Sequence, residues 1–166
     1  SMVTQKFTRE DIFKLLSFIP DPEIPVVSIK EMGMLRDVIL SDEGCEVIIT
    51  PTYTGCPAMG MIEDDIKRTL SENGVPYVKV KLVYAPAWTT DWMSLEAKDK
   101  MRKYGIAPPM SSACTKLTAH GKHEFIKCPH CNSTNTELIS MFGSTACKAL
   151  YKCEHCKEPF EYFKCH

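Results

Sequence analysis

The stretch "CPHCNSTNTELISMFGSTACKALYKCEHC", residues 128–156, decides the fold of the C-terminal part of this chain. It begins and ends with a Cys-x-x-Cys pair, and two residues between the sulfurs let one tight turn aim both sulfurs at the same ion. The segment between the pairs indicates a β-hairpin, and "EPFEYFK" (158–164) indicates a third strand. The sequence therefore predicts a zinc ribbon with four sulfur ligands: Cys128, Cys131, Cys153 and Cys156.

The metal and the other donors of this ribbon leave alternatives open. Zinc is favoured, although four thiolates also suit a rubredoxin-like iron. Four reduced structural cysteines are the weaker interpretation, because little else would hold so short a segment folded. His130 and His155 either face solvent or replace a sulfur. Cys147 and Cys165 are either small apolar residues on the strands or a second metal or cluster-contact site, and His166 has no assigned role.

Cysteine usage indicates a reducing compartment. The chain has 166 residues and nine cysteines, of which six fall in the last 39 residues. An odd number of cysteines without a signal peptide argues against a secreted disulfide framework. No apolar run approaches the roughly 20 residues that span a bilayer. We therefore expect a cytoplasmic protein with no membrane partner.

The charge balance disfavours nucleic acid as a partner. The formal net charge is −1, and the segment from residue 128 onward carries four lysines, four glutamates and no arginine. Binding driven by the phosphate backbone needs a positive patch, which this composition does not supply. Protein–protein contact is the better expectation for the ribbon.

The residues before the ribbon predict a small α/β domain. Apolar residues recur at helical spacing after Thr8 and after Cys56, and period-two alternation marks the strand "YVKVKLVY" (77–84). Two more strands are expected on either side of the turn sequence "SDEG" (41–44). The predicted order is α-β-β-α-β-α with a mixed three-stranded sheet, and the less regular boundaries are strands at 34–40 and 45–50 and a third helix at 91–104.

Three segments follow from these patterns. The α/β domain is expected at residues 1–106, and the zinc ribbon at residues 125–166. Between them, residues 107–124 contain Pro, Ser and Gly without sustained periodicity, which is typical of a linker. The ribbon is too small to fold without its metal, so we expect two separate cores.

Cys56 is the cysteine of the first domain with the most unusual surroundings. It stands directly before Pro57, and proline is favoured at the first position of a helix. This pattern predicts Cys56 at the N-cap, where free backbone N–H groups lower the pKa of a thiol. Two interpretations stay open: a reactive or ligand thiolate, or an inert cysteine that covers the start of the helix.

The segment "PDPEIP" (20–25) also departs from ordinary domain sequence. Three prolines in six residues end the first helix and force extended backbone. Asp21 and Glu23 are therefore fixed on a stiff segment. They serve either acid–base or metal chemistry, or only end the helix in solvent.

Several of these stretches together resemble known families. "DPEIPVVSI", "PTYTGCPAM" and "APAWTTDWMS" are similar to the α/β domain shared by SufT-like and cytosolic iron–sulfur assembly factors. The tail, with "STACKALY" and "EPFEYFKC", resembles that of the PaaD (PaaJ) family of bacterial phenylacetate degradation. The resemblance covers nearly the whole chain.

The resemblance implies an accessory protein of the phenylacetyl-CoA monooxygenase (epoxidase) system that assists in assembling iron–sulfur clusters or iron centres. It implies that Cys56 is the functional thiol, with Asp21 and Glu23 as the acidic motif and transient iron or an iron–sulfur cluster as cargo beside structural zinc. The implied partners are the oxygenase and iron–sulfur reductase subunits and the iron–sulfur assembly machinery, and a homo-oligomer stays open.

Two alternatives to this role remain at the level of sequence. A non-catalytic structural subunit of the oxygenase would need no chemistry of its own. An independent thiol-dependent hydrolase is disfavoured, because all five histidines lie at position 120 or beyond and none neighbours Cys56 in the sequence as a base.

Overall fold

The computed structural model describes residues 7–53, 55–109 and 126–164. Its contacts divide the chain into two compact units, residues 1–88 and 89–166. Three helices and mixed sheets confirm the predicted α/β class. None of the helices in the described part of the chain combines the length and apolarity needed to cross a bilayer.

Helix α1 (Arg9–Leu16) opens the first unit with the predicted cap. The hydroxyl of Thr8 accepts a hydrogen bond from the backbone N–H of Asp11, and the Asp11 carboxylate accepts one from the N–H of Thr8. This reciprocal capping box satisfies two N–H groups that the first turn would otherwise leave free. Ile12 and Leu16 are fully buried, so one face of the helix packs into the core.

Helix α2 (Met59–Glu72) supplies the other helical wall of this core. Its buried residues recur at helical spacing and are those the sequence predicts: Met59, Ile62, Ile66 and Leu70. The helix ends at Asn73, followed by Gly74 with φ of 83°. A left-handed residue after the last turn is the usual helix stop, and glycine adopts it without strain.

The central sheet of the first unit has three strands in the order β3-β4-β5. Strands β3 (Leu35–Ser41) and β4 (Gly44–Ile49) pair antiparallel, and β4 pairs parallel with β5 (Val78–Leu82). This is the predicted mixed sheet, with boundaries that differ by one or two residues. Alternation along β4 buries Cys45, Val47 and Ile49 against the helices.

The proline-rich segment between α1 and β3 forms a small hairpin that the sequence analysis does not predict. Strands β1 (Pro20–Asp21) and β2 (Ile24–Ser28) pair antiparallel, with Asp21 opposite Ile24. Proline at these positions is tolerated because the pairing is short and lies outside the central sheet. The extended backbone expected here is correct, and the hairpin adds a fixed position for the acidic residues.

The second unit begins with the third helix. A 3-10 turn (Thr90–Trp92) precedes helix α3 (Leu95–Tyr104), so the α-helix begins four residues later than the predicted position 91. The reason is a cap: the hydroxyl of Ser94 accepts a hydrogen bond from the backbone N–H of Ala97 at 3.0 Å. The helix ends at Gly105 with φ of 97°, as the sequence indicates.

A four-stranded sheet in the order β6-β9-β8-β7 completes the second unit. The predicted hairpin and third strand are present as β7, β8 and β9, and the edge strand β6 pairs parallel with β9. The strands are β6 (Ile106–Ala107), β7 (Thr136–Ser140), β8 (Lys148–Cys153) and β9 (Pro159–Phe163).

The domain boundaries stay a prediction at the linker. Helix α3 and strand β6 belong to the unit of residues 89–166, whereas the sequence patterns place them at the end of domain 1–106 and the start of linker 107–124. Most of that linker, residues 110–125, lies outside the described residues. The core of the ribbon includes Ala107, Ile126, Ala149, Tyr151 and Phe160.

Candidate metal centre and thiol site

The four cysteines of the two Cys-x-x-Cys pairs converge at one end of the ribbon. Their sulfur atoms all lie within 4.8 Å of one another. The sulfurs of Cys128 and Cys156 are 3.8 Å apart, and those of Cys131 and Cys153 are 3.6 Å apart. A tetrahedral zinc ion with bonds of about 2.3 Å would separate its sulfurs by about 3.8 Å. The donor set therefore fits a zinc ion without rearrangement.

The two turns that carry these sulfurs have the same geometry. Asn132 follows the first pair with φ of 65°, and Lys157 follows the second with φ of 67°. The N–H of Asn132 donates to the carbonyl of Cys128, and that of Lys157 donates to the carbonyl of Cys153. The repeat shows how the same spacing, in two places, produces one symmetric site.

Backbone N–H groups inside the turns also face the sulfurs. The N–H of His130 donates to Cys128 Sγ, and the N–H of Cys156 donates to Cys153 Sγ, both at 3.4 Å. The latter bond lowers the pKa of the Cys153 thiol to about 6, whereas burial raises the pKa of Cys128 to about 12. Metal binds the deprotonated sulfurs, so these N–H groups favour the ligand form of the site.

The remaining residues of the tail lie outside the four-sulfur group. His130 and His155 are both exposed, which agrees with the solvated interpretation. Cys147 is buried, and its sulfur lies 3.0 Å from the hydroxyl of Thr145. Cys165 and His166 lie outside the described residues, so the second site at Cys147 and Cys165 stays a prediction.

The structure corrects the position of Cys56 relative to helix α2. The N-cap is Ala58 rather than Cys56, and the helix begins at Met59. Residues 56–59 form a turn in which the N–H of Met59 donates to the carbonyl of Cys56 at 3.4 Å. Pro57 therefore lies in the turn before the helix and not at its first position.

The predicted lowering of the Cys56 pKa is also wrong. Burial raises the pKa of this thiol, and the nearby carboxylates of Glu23 and Asp21 raise it further. Hydrogen bonds from the backbone N–H of Ala58 and the side chain of Tyr53 lower it, but they do not outweigh the other causes. The resting sulfur is therefore a protonated, neutral thiol at neutral pH.

The fold brings the two unusual stretches of the first domain together. Asp21 is buried in β1, and its carboxylate accepts a hydrogen bond from the N–H of Glu23 at 2.8 Å. The hydroxyl of Tyr53 lies 3.5 Å from the Glu23 carboxylate and also hydrogen bonds with Cys56. One site thus contains a thiol, a phenol and two carboxylates: Cys56, Tyr53, Asp21 and Glu23.

This site differs from a finished metal centre. Among residues 7–53, 55–109 and 126–164, the four-cysteine set is the group of three or more donor side chains whose atoms lie within ligating distance of one another. Cys56 and the two carboxylates do not form such a group. An ion at Cys56 would need these side chains to shift or a partner to supply ligands.

Tyr53 is the member of the site that sequence reasoning misses. In the sequence it is only one of several hydroxyls in "PTYTGCP" (51–57). A signal is present, because the N–H of Cys56 donates to the carbonyl of Tyr53, and a turn of this kind places residues three apart side by side. The meeting of Tyr53 with Glu23 depends on tertiary structure and cannot be read from spacing.

Comparison with known proteins agrees with this two-part organisation. Residues 9–83 match the family described as "Iron-sulfur cluster assembly protein", and residues 112–164 match the "PaaD zinc beta ribbon domain". A solved structure from Bacillus anthracis, described as "Domain of Unknown Function DUF59", aligns at a TM-score of 0.53 and 31% identity, covering 56% of this chain and 90% of that one.

Two relatives cover different shares of the chain. "Fe-S protein maturation auxiliary factor" of Porphyromonas gingivalis (strain ATCC BAA-308 / W83) is 38% identical over 92 residues, which are 54% of this chain and 87% of that protein. A protein of Escherichia coli (strain K12) whose name assigns it to 1,2-phenylacetyl-CoA epoxidase is 51% identical over 155 residues, which are 93% of this chain and 92% of that protein. The chain therefore belongs to the PaaD family, with an iron–sulfur cluster assembly domain followed by a PaaD zinc β-ribbon.

Proposed function

We propose that this protein is an accessory factor that delivers iron during assembly or repair of the iron or iron–sulfur centres of a phenylacetyl-CoA epoxidase complex. The observation that carries the proposal is the meeting of Cys56 with Asp21 and Glu23 inside a domain of the iron–sulfur assembly family. The similarity to the Escherichia coli protein named for the epoxidase supports the choice of complex. Oxygenase and iron–sulfur reductase subunits are the proposed partners.

The electrostatics of the site favour a cationic cargo. The carboxylates of Glu23 and Asp21 disfavour negative charge on the Cys56 sulfur and contribute to the raised pKa of the thiol. The same charges attract a ferrous ion, which binds as the thiol loses its proton to solvent. An anionic persulfide on Cys56 would meet the opposite effect. Iron fits this site better than sulfur.

The number of thiols also favours a single ion over a preformed cluster. A [4Fe–4S] cluster is held by four thiolates, whereas residues 1–88 contain two cysteines, Cys45 and Cys56. Cys45 is buried on β4 and shares no metal-ligating group with Cys56 in the described chain. A mixed set of one sulfur and carboxylate oxygens suits a divalent ion that must leave again.

The ribbon has a separate part in this proposal. Its four cysteines would bind zinc permanently and keep β7, β8 and β9 folded as a surface for a partner protein. The neutral charge of the tail is consistent with a protein surface as the contact. The iron cargo and the structural zinc are therefore assigned to different units.

The test is delivery of iron to the iron–sulfur reductase partner. Anaerobically purified wild-type protein and Cys56→Ala are incubated with ferrous ion, a sulfide source and apo-reductase, and cluster formation is followed by absorbance and labile sulfide. We expect faster cluster formation with the wild type and no acceleration with Cys56→Ala. Cys45→Ala is the matched control, because it removes the other cysteine of the first unit, and it should behave as the wild type.

Two results would contradict the proposal. Equal acceleration by Cys56→Ala would show that the thiol carries no cargo, and stoichiometric co-purification with the oxygenase would then favour a structural subunit. Acceleration that depends on a persulfide donor, and not on ferrous ion, would replace iron by sulfur as the cargo. Both measurements use the same protein preparations.

A further inference from the structure

Strand β5 forms an open edge of the central sheet. The sheet order is β3-β4-β5, and in the described part of the chain no strand pairs with the outer side of β5 (Val78–Leu82). An edge of this kind presents a row of backbone groups that another extended chain can pair with. This edge is therefore a place where a partner can extend the sheet.

The alternation of hydrogen bonds identifies which backbone groups face outward. The N–H of Val83 donates to the carbonyl of Ile49, and the N–H of Cys45 donates to the carbonyl of Tyr77. Because strand residues alternate with period two, the odd-numbered residues of β5 bond to β4. The even-numbered residues direct their N–H and C=O groups to the open edge: Val78, Val80 and Leu82.

The outward face of β5 carries two positive charges. Lys79 and Lys81 are exposed and alternate with the half-buried Val78, Val80 and Leu82. No ion pair within 4.0 Å to either ammonium group is found among the described residues. Both charges are available to a strand that pairs with this edge.

The same charges argue against a second copy of this chain at the edge. In an antiparallel β5–β5 pair, residues directly opposite each other lie on the same face of the sheet. Centring the pair on Val80 places Lys79 opposite Lys81, and shifting it by two residues places a lysine opposite itself. Like charges directly opposite each other are destabilising, and lysines on an edge commonly prevent self-association.

A cavity lies beside this edge. It has a volume of about 110 Å³ and is lined by residues that include Ile39, Gly44, Tyr77 and Lys79. Tyr77 directly precedes β5, is 76% exposed and has φ of 53°, in the left-handed region that side chains rarely adopt. Gly44 permits this position, because a Cβ there would collide with the backbone of Tyr77. An exposed tyrosine beside a cavity is typical of a protein contact.

We propose that the outer edge of β5 binds an extended segment of a partner protein in which acidic and apolar residues alternate. The acidic side chains would lie beside Lys79 and Lys81 on the outward face. The apolar side chains would continue the half-buried row of Val78, Val80 and Leu82. A neighbouring apolar side chain of the partner would enter the cavity next to Tyr77.

The test is an NMR titration of the full-length, zinc-bound protein with a capped peptide of alternating glutamate and valine. We expect amide shifts concentrated at residues 77–82 and 39–46, and saturable binding. A peptide of the same length with lysine in place of glutamate is the matched probe. It should bind about tenfold more weakly, because two attractive cross-strand pairs become repulsive.

Two variants make the result specific. The double variant Lys79→Glu/Lys81→Glu should exchange the preference, binding the lysine peptide and rejecting the glutamate peptide. Val80→Pro removes an outward N–H without touching a bond to β4, and it should abolish binding of both peptides. Unchanged shifts of residues in α2 in each variant would show that the first unit is still folded.

Four outcomes would overturn the proposal. These are equal binding of the two peptides, shifts located away from residues 77–82, and concentration-dependent broadening at β5 without peptide, which would assign the edge to a second copy. The fourth is slow hydrogen exchange at Val78, Val80 and Leu82 in the free protein, which would show that the chain covers its own edge.

Discussion

The two cysteine sites of this protein differ in how complete they are. In the ribbon, four sulfurs already lie within 4.8 Å of one another, and backbone N–H groups face two of them. In the first unit, one neutral thiol lies with two carboxylates and a phenol that do not form a ligand set. The first arrangement suits an ion that stays, and the second suits one that leaves.

The difference lies in the charge each site supplies before any ion arrives. Four convergent cysteines lose their protons only when the metal compensates their charge, so folding and binding are coupled. At Cys56 the carboxylates supply charge from a separate hairpin, β1 and β2, and the thiol remains protonated until it is used. The following experiments test how independent the two sites are.

The largest expected effect is loss of the ribbon fold without its metal. We expect Cys153→Ser, or chelation of the wild type, to remove hydrogen-exchange protection from β7, β8 and β9. Structural zinc is worth on the order of 10 kcal/mol in small domains. Protection in α2 should persist, because its core lies in the first unit. Cys147→Ala is the control, and simultaneous loss of protection in both units would contradict separate cores.

A core deletion in the first unit should have the converse effect. Ile66 is fully buried on α2, and Ile66→Ala should lower the free energy of unfolding of that unit by about 2–5 kcal/mol. Urea unfolding measures the change, and zinc analysis should still find one ion per chain. Ile39→Ala on the exposed face of β3 should cost less. Zinc release by the Ile66 variant in the absence of urea would count against independence.

Helix caps offer a smaller and matched pair of changes. Thr8→Ala and Ser94→Ala each remove a hydroxyl that accepts from a backbone N–H, and each should cost about 1 kcal/mol. Hydrogen exchange should place the first loss in α1 and the second in α3. Thr8→Ser, which keeps the hydroxyl, should restore most of the stability. A loss that appears equally in both helices would be inconsistent with two units.

The smallest change in free energy concerns the charge at Cys56. Glu23→Gln removes a carboxylate that raises the thiol pKa, so more thiolate exists at a given pH and alkylation should be faster. Tyr53→Phe removes a hydrogen bond that lowers the pKa, so alkylation should be slower. Mass spectrometry of iodoacetamide-treated protein from about pH 7 to about pH 10 measures both rates. Glu46→Gln is the control, and identical profiles for all variants would disprove the electrostatic account.

Much of the fold can be predicted from the sequence because its signals are local. Thr8, the periodic residues of α2 and the Cys-x-x-Cys pairs each act within a few positions, and the structure confirms them. The predicted start of α3 is wrong because Ser94 caps the helix after a 3-10 turn. Strand β6 escapes prediction because two residues carry no period, and pairing with β9 alone defines it.

The thiol site shows where local reasoning ends. Pro57 after Cys56 predicts an N-cap, but the chain turns once more before the helix begins at Met59. The pKa of Cys56 then depends on burial and on charges from a distant part of the sequence. The distance between Tyr53 and Glu23 likewise follows from the packing of a hairpin against a loop and has no signature in either segment.

The buried indole of Trp88 makes the first unit optically distinguishable. Its N–H donates to the carbonyl of Met32 at 2.8 Å, and the residue is 5% exposed, so its fluorescence should lie at short wavelength. The other tryptophan, Trp92, belongs to the second unit. With Trp92→Phe the emission reports unfolding of the first unit alone, and with Trp88→Phe it reports the second. The protein therefore contains a native fluorophore for each unit, and no dye is needed to follow them separately.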